Sequence, residues 1–146
     1  MPELPEAETV ARQLGKYLSG TRITGVSIHA PRLREPLDLQ ALQAVTIGRT
    51  VEGTRRRGKF IFVDLSNGAT VLIHLGMSGT CRVCPPGTPA GPHEHVVFQL
   101  STGGSWRYVD PRRFGMVTPS LVRSGDWLPS GIRTMGPEPL EDQFTP

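Results

Sequence analysis

Apolar residues recur every three or four positions near the amino terminus and at nearly every second position through most of the remaining chain. Val10, Leu14, Tyr17 and Leu18 fall at helical spacing. Pro5 suits a helix start, Glu6 and Glu8 lie in the first turn where the helix dipole favours negative charge, and Gly20 ends the run. A helix over 5–18 is predicted, with its apolar stripe packed on a sheet. A second, shorter helix is predicted over 38–44, capped by Asp38. Strand patterns cover 22–29, with Thr24, Val26 and Ile28 on one side, then 46–52, 60–65, 70–75, 81–83, 96–100 and 105–109. Ser66-Asn67-Gly68 reads as a hairpin turn. The run PPGTPAGP at 85–92 cannot carry a regular ladder and is expected to be a mobile loop. After Gly115 the apolar pattern thins, and no internal repeat is evident. The elements together predict a mostly β fold with flanking helices: a two-layer antiparallel β-sandwich with an N-terminal helix and a second short helix.

Composition supports this. The 146 residues suit one domain, and 17 Gly and 14 Pro punctuate short segments as a turn-rich β domain requires. No apolar run is long enough to span a membrane and no charged-then-apolar leader opens the chain, so a cytoplasmic protein without membrane partners is expected. The net charge is only +3, but its makeup is distinctive. Lys16 and Lys59 are the two lysines, and arginines cluster at Arg55-Arg56-Arg57 and at Arg107 with Arg112-Arg113. Fork-shaped guanidinium groups suit phosphates and base edges. On charge alone, a nucleic-acid partner and an ordinary arginine-rich surface remain equally open.

The amino terminus carries candidate chemistry. Removal of Met1 would leave Pro2 with a free secondary amine, whose ordinary pKa of about 8 makes it nucleophilic near neutrality. Attack on an aldehyde-like carbon would give an iminium, an electron sink that drives elimination at neighbouring carbons. Glu3 stands beside this amine as a general acid or base, with Glu6 three residues on. Taken alone, these are also an ordinary start and ordinary helix capping.

Further segments change that balance. MPELPEAET at the start, RRRGKF at 55–60, IHLGMSG at 73–79 and YVDPRRFG at 108–115, together with GPEPL at 136–140, resemble the formamidopyrimidine-DNA glycosylase family in order and spacing along the whole chain. The resemblance implies a base excision repair enzyme that removes oxidised purines, such as 8-oxoguanine and formamidopyrimidines, from double-stranded DNA and then cuts the abasic strand. The damaged nucleotide is rotated out of the stack because its sugar carbon is unreachable inside it. Carried over, Pro2 is the nucleophile, Glu3 protonates the sugar ring oxygen, Lys59 is the catalytic-site lysine and Glu6 supports them. His74 falls where the family contacts a phosphate beside the lesion, and His93 where relatives can touch DNA. Met77, Arg112 and Phe114 match a trio that fills the hole left by the flipped base: Arg112 hydrogen-bonds the orphaned cytosine, and Met77 and Phe114 wedge into the stack. The resemblance also implies a monomer, a catalytic sandwich over 1–135, and at 136–146 the start of a linker to a helical and zinc-finger DNA-binding region.

Cys81 and Cys84, with His93 and His95, could suggest a metal. Residues three apart on a strand point to opposite faces, and the H-x-H spacing is not that of a finger, so neither metal nor cofactor is expected in this chain; the family's zinc belongs to the carboxy-terminal finger. Two other functions fit the same fold. An endonuclease VIII-type enzyme acting on oxidised pyrimidines is disfavoured by Leu4 and by the Met77, Arg112 and Phe114 set. A non-catalytic DNA-binding module is disfavoured by Pro2, Glu3 and Lys59.

Overall fold

In the structure, a computed structural model, residues 4–29, 37–113 and 115–120 are described. The chain runs α1 (Leu4–Leu18), β1 (Ile23–Ile28), α2 (Leu39–Thr46), β2 (Val51–Arg57), β3 (Phe60–Leu65), β4 (Thr70–His74), β5 (Thr80–Cys84), β6 (Glu94–Leu100), β7 (Ser105–Val109) and β8 (Met116–Ser120). Two four-stranded sheets form, ordered β1-β6-β7-β5 and β2-β3-β4-β8, with every pairing antiparallel. The expected sandwich with an N-terminal and a second short helix is present.

The core lies between the sheets. Ile61, Val63, Val71, Ile73 and Val117 face Val96, Phe98, Trp106 and Tyr108, with Phe98 and Trp106 stacked at 4.1 Å. Each large apolar side chain buried there stabilises the fold by about 1.5–3 kcal/mol relative to exposure. Ala7, Ala11, Leu14 and Leu18 of α1 join this core. The helix approaches β2 closely because Gly15 has no side chain: a Cβ there would lie 2.8 Å from Thr54 Oγ1, which donates to the Ala11 carbonyl at 2.7 Å. Tyr17, expected on the buried stripe, is instead exposed, with Lys16 Nζ 5.4 Å from its ring centre.

Asp38 caps α2, its carboxylate accepting from the Ala41 N–H at 3.0 Å. The strand expected over 46–52 is corrected. Thr46 ends α2, with its hydroxyl donating to the Leu42 carbonyl, and Gly48 turns the chain at φ 86°. The strand starts at Val51 and runs through all three clustered arginines. Arg55 and Arg57 are compatible with a strand because the outer face of this sheet carries its own apolar cluster of Phe60, Phe62, Leu72 and Met116, while Arg56 alternates to the other face and pairs with Glu8. There Arg55 lies over the Phe62 ring at 4.9 Å and forks onto Asp64 at 2.7 and 3.1 Å. In β1 a register shift between Ile23 and Gly25 leaves Ile23 and Val26 buried and Thr24 exposed, not the alternation expected. A strand that the thinning pattern concealed is β8, where Pro119 is tolerated because among the described residues the strand pairs with β4 alone.

Ser66–Gly68 is a single tight turn joining β3 to β4, as expected. Residues 85–92 carry no ladder, but they are tied down. Arg107 Nη2 donates to the Thr88 carbonyl at 2.7 Å, Arg107 Nη1 to the Pro89 carbonyl at 2.8 Å, and the Gly91 N–H to Glu94 Oε1 at 2.9 Å. Buried Arg107 and Glu94 themselves pair at 3.0 Å.

Candidate nucleic-acid interface and active site

The described segments that carry Glu6, Lys59, His74, Met77 and Arg112 converge on one end of the sandwich. Lys59 occupies the second position of the two-residue turn between β2 and β3, with Gly58 first at φ 57°, the geometry of a type II′ hairpin. Phe60, the next residue, pairs with His74 at the end of β4, and His74 pairs with Met116 at the start of β8. The loop after β4 (residues 75–79) and the loop after β7 (residues 110–115) leave from this same end.

The first turns of α1 join them. Glu8 accepts from Arg56 Nε at 2.7 Å and from Arg12 Nε at 2.9 Å, and the Arg56 guanidinium holds its carboxyl below the usual range. Arg56 Nη1 also donates to the Gly58 carbonyl at 2.9 Å, so one side chain ties the Lys59 turn to the helix. Glu6, Thr9, Val10 and Gln13 form one wall of a cavity of about 500 Å³, and Leu75 and Met77 form part of the other. Met77 is 40% exposed, an unusual place for a large apolar side chain. Glu6 and Met77 thus face one cavity.

Met77 also meets Arg112, whose Nη1 lies 4.0 Å from its Sδ. Arg112 does not pair with Asp110, the ordinary alternative for an arginine so placed. The Asp110 carboxylate accepts instead from Ser78 Oγ at 2.7 Å, Tyr108 Oη at 2.8 Å and the Gly115 N–H at 2.8 Å. Burial works against its charge, but these donors outweigh that and hold the carboxyl below its usual range. The Tyr108 hydroxyl, pushed far upward by burial and by Asp110, remains a proton donor. Two glycines are required around that hydroxyl. A Cβ at Gly79 would come 2.5 Å from it and run into the Leu75 carbonyl, and a Cβ at Gly115 would strike the hydroxyl itself.

His74 is half-buried, edge-on to Phe60 at 4.4 Å, and its Nδ1 accepts from the Gly76 N–H at 2.9 Å; in the neutral ring this places the proton on Nε2. His93 lies away from the Glu6 and Met77 cavity. It adopts a left-handed conformation (φ 64°) and lines a second cavity with His29, His95 and Arg113; Arg113 too is left-handed, at φ 61°. Pro2, Glu3 and Phe114 lie outside the described residues, as does the 136–146 segment. Cys81 faces the main core and Cys84 does not, as their spacing on a strand demands. Among the described residues, no group of three or more His, Cys, Asp or Glu side chains could hold a metal ion. Ser78, Tyr108, Arg56 and Glu8 are not assigned a site role by sequence reasoning, which meets Glu8 only as a first-turn acid, Arg56 only in the arginine cluster and the other two only inside the family motifs. The contacts of Arg56 with Glu8 and of Ser78 with Asp110 join segments distant in the chain.

The class defined by this arrangement is a two-layer antiparallel β-sandwich with a helix at one end, and with Met77 and Arg112 in contact beside a cavity. Residues 1–117 match the formamidopyrimidine-DNA glycosylase N-terminal domain, and the chain belongs to that family. It is 44% identical over 145 residues to the formamidopyrimidine-DNA glycosylase of Xanthomonas axonopodis pv. citri (strain 306), covering 99% of this chain and 52% of that protein. The Pseudomonas paraeruginosa relative (strain DSM 24068 / PA7) of the same name is 43% identical over 144 residues, with the same coverage. The fold resembles the Lactococcus lactis Fpg in a complex with abasic-site DNA, with TM-score 0.73 and 29% identity over 81% of this chain and 43% of that one. A complex of the Lactococcus lactis protein with FAPY-dG DNA gives TM-score 0.72 and 30% identity over 80% and 43%. The chain spans about half the length of the relatives it matches.

Proposed function

We propose that this domain is the chemical half of a base excision repair glycosylase with abasic-site lyase activity, acting on oxidised purines in double-stranded DNA. The observation that carries the reading is the pairing of exposed Met77 with Arg112 at the rim of the cavity that Glu6 lines. A nucleotide swung out of the duplex needs both a receptacle and something to fill the hole, and these residues supply the two side by side.

Pro2 is two residues from Leu4, the start of α1, which chain geometry limits to about 7 Å. Its nitrogen attacks C1′ of the flipped nucleotide, the glycosidic bond breaks, and the base leaves with a proton. Glu3 protonates the sugar ring oxygen as the ring opens to the iminium. Loss of a proton at C2′ then expels the 3′ phosphate, and a further elimination expels the 5′ phosphate. Lys59 and His74, on adjacent strand ends, receive backbone phosphates beside the lesion. Arg112 pairs with the cytosine left behind, Phe114 wedges with Met77, and His93 touches DNA from the neighbouring cavity. The chemistry needs no cofactor, and no metal is assigned to this chain. The bacterial relatives support the cytoplasm as the working place, and the domain acts there as a monomer on DNA.

The test is reductive trapping. The chain, with Met1 removal checked by intact mass, is incubated with a duplex carrying one 8-oxoguanine opposite cytosine in the presence of borohydride. A covalent adduct mapping to Pro2 is expected. No adduct, either with this chain or with a longer one continuing into a helical and zinc-finger region, would overturn the reading.

A further inference from the structure

We infer that Asp110, acting through Ser78 and Tyr108, is a positioning residue that locks the Met77 loop and the Arg112 loop into one wedge; this rests on the glycosylase reading above. Asp110 is fully buried, and a buried carboxylate is costly unless its oxygens are satisfied. Such a group is ordinarily matched by a cation. Among the described residues none pairs with Asp110. Its donors are neutral: Ser78 beside Met77, Tyr108 at the end of β7, the Gly115 N–H at the far end of the Arg112 loop, and the Arg113 N–H within that loop. Neutral donors contribute little long-range attraction, but each fixes a direction and a distance.

Ser78 completes the link. Its hydroxyl donates to Asp110 and accepts from the Arg112 N–H at 3.1 Å, so the residue after Met77 touches Arg112 directly. Asp110 is anchored from behind by the start of β6 and the residue before it: its N–H donates to the His93 carbonyl at 3.0 Å, and its own carbonyl lies 2.6 Å from His95 Nε2. One residue therefore joins a fixed strand to both loop tips.

The strands beneath do not depend on this network. Thr80 pairs with Val109 and His74 with Met116 through their own ladders. Breaking it should unlink the tips while the sandwich stays folded. That separates a positioning role from a merely structural one.

Ser78→Ala is the first variant and Asp110→Asn the second. The ε-methyl carbon of Met77, one of four methionines, is followed by carbon-13 NMR and assigned with Met77→Leu. In Ser78→Ala the resonance should sharpen and move towards that of free methionine, while the remaining methyls stay in place. An unchanged Met77 methyl would overturn the inference, and this readout needs no DNA. Borohydride trapping on an abasic site is then compared in duplex and in single strand, where there is no stack to fill and no orphaned base. The duplex-to-single-strand ratio should fall about tenfold in both variants, the loss expected of one net hydrogen bond. An equal loss on both substrates would assign the network to folding and overturn it. Absence of trapping by the parent chain on every substrate would count against the glycosylase reading, with the methyl resonance still deciding the network.

Discussion

Replacing Arg107 with methionine removes, in one step, hydrogen bonds to Ser105 Oγ, to the carbonyls of Thr88 and Pro89, and to both carboxylate oxygens of Glu94. Met approximates the length of the stem, so the change isolates the guanidinium. Thr88 and Pro89 lie near the surface and water can replace what their carbonyls lose. Glu94 cannot be rescued so easily: it is buried, and it keeps the Gly91 N–H as a donor and the Arg82 charge at longer range, but no guanidinium hydrogen bond. Stranding one partner of a buried ion pair costs about 3–5 kcal/mol, against a total stability of about 5–15 kcal/mol for a domain. Removing both charges, as Arg107→Met with Glu94→Leu, should cost less than Arg107→Met alone, because no unpaired carboxylate remains.

Acid should narrow the gap between parent and variant. Burial alone would raise the Glu94 carboxyl, yet the Gly91 N–H and Arg107 hold it below 4.5, its ordinary value. Its stabilisation is therefore complete above pH 4.5 and drains away as pH falls through the lower folded value. In Arg107→Met that carboxyl has lost its guanidinium and should titrate higher, so protonation relieves the variant and shrinks its deficit. Urea unfolding monitored by circular dichroism, at neutral pH and again on the acid side, measures all three proteins. A single-variant cost below about 1 kcal/mol, a double variant no better than the single, or a deficit indifferent to acid would each refute the stranded-carboxylate explanation.

Gly115→Ala should destabilise the domain by about 1–3 kcal/mol or more in thermal melts, because the new methyl runs into Tyr108 Oη. Adding Tyr108→Phe should recover only part of this, since the His74 carbonyl still lies 2.5 Å from that Cβ. The Cys81 thiol, buried and pushed up to about 12, should resist iodoacetamide at pH 8 in the folded protein and react once urea opens the core, as peptide mass analysis would show.

The parts of the fold legible in the sequence are those where a local pattern and the tertiary environment agree. The first helix carries start, stop and stripe signals within one short stretch, and Asp38 announces the second. Pattern misleads where burial occurs on a face that a two-layer sandwich would leave wet. Arg55 has the look of surface charge, yet it lies over Phe62 and forks onto Asp64, so the apolar pattern places its strand too early, across the end of α2. Pro119 hides an edge strand for a comparable reason, since its cost depends on how many neighbours the strand has. At the site, the family resemblance names the residues that face outward, and the structure brings Glu6, Met77 and Arg112 together. Their supports lie in the same motifs, but no role is given to them. Ser78 and Asp110 are 32 positions apart, and no periodicity predicts that a hydroxyl and a carboxylate so separated will meet.

The Tyr108 hydroxyl, enclosed by Gly79 and Gly115, has a bearing on how such a protein can be altered. Aromatic and glycines act as a mould: enlarging either glycine collides with the ring oxygen, and trimming the ring leaves Asp110 short of a donor. Change at these three positions therefore has to arrive together. The side chains at the tips are under no such bond, because loop shape is set below them. The Met77 and Arg112 side chains can be exchanged without touching that mould, as a drill bit is exchanged without rebuilding the chuck.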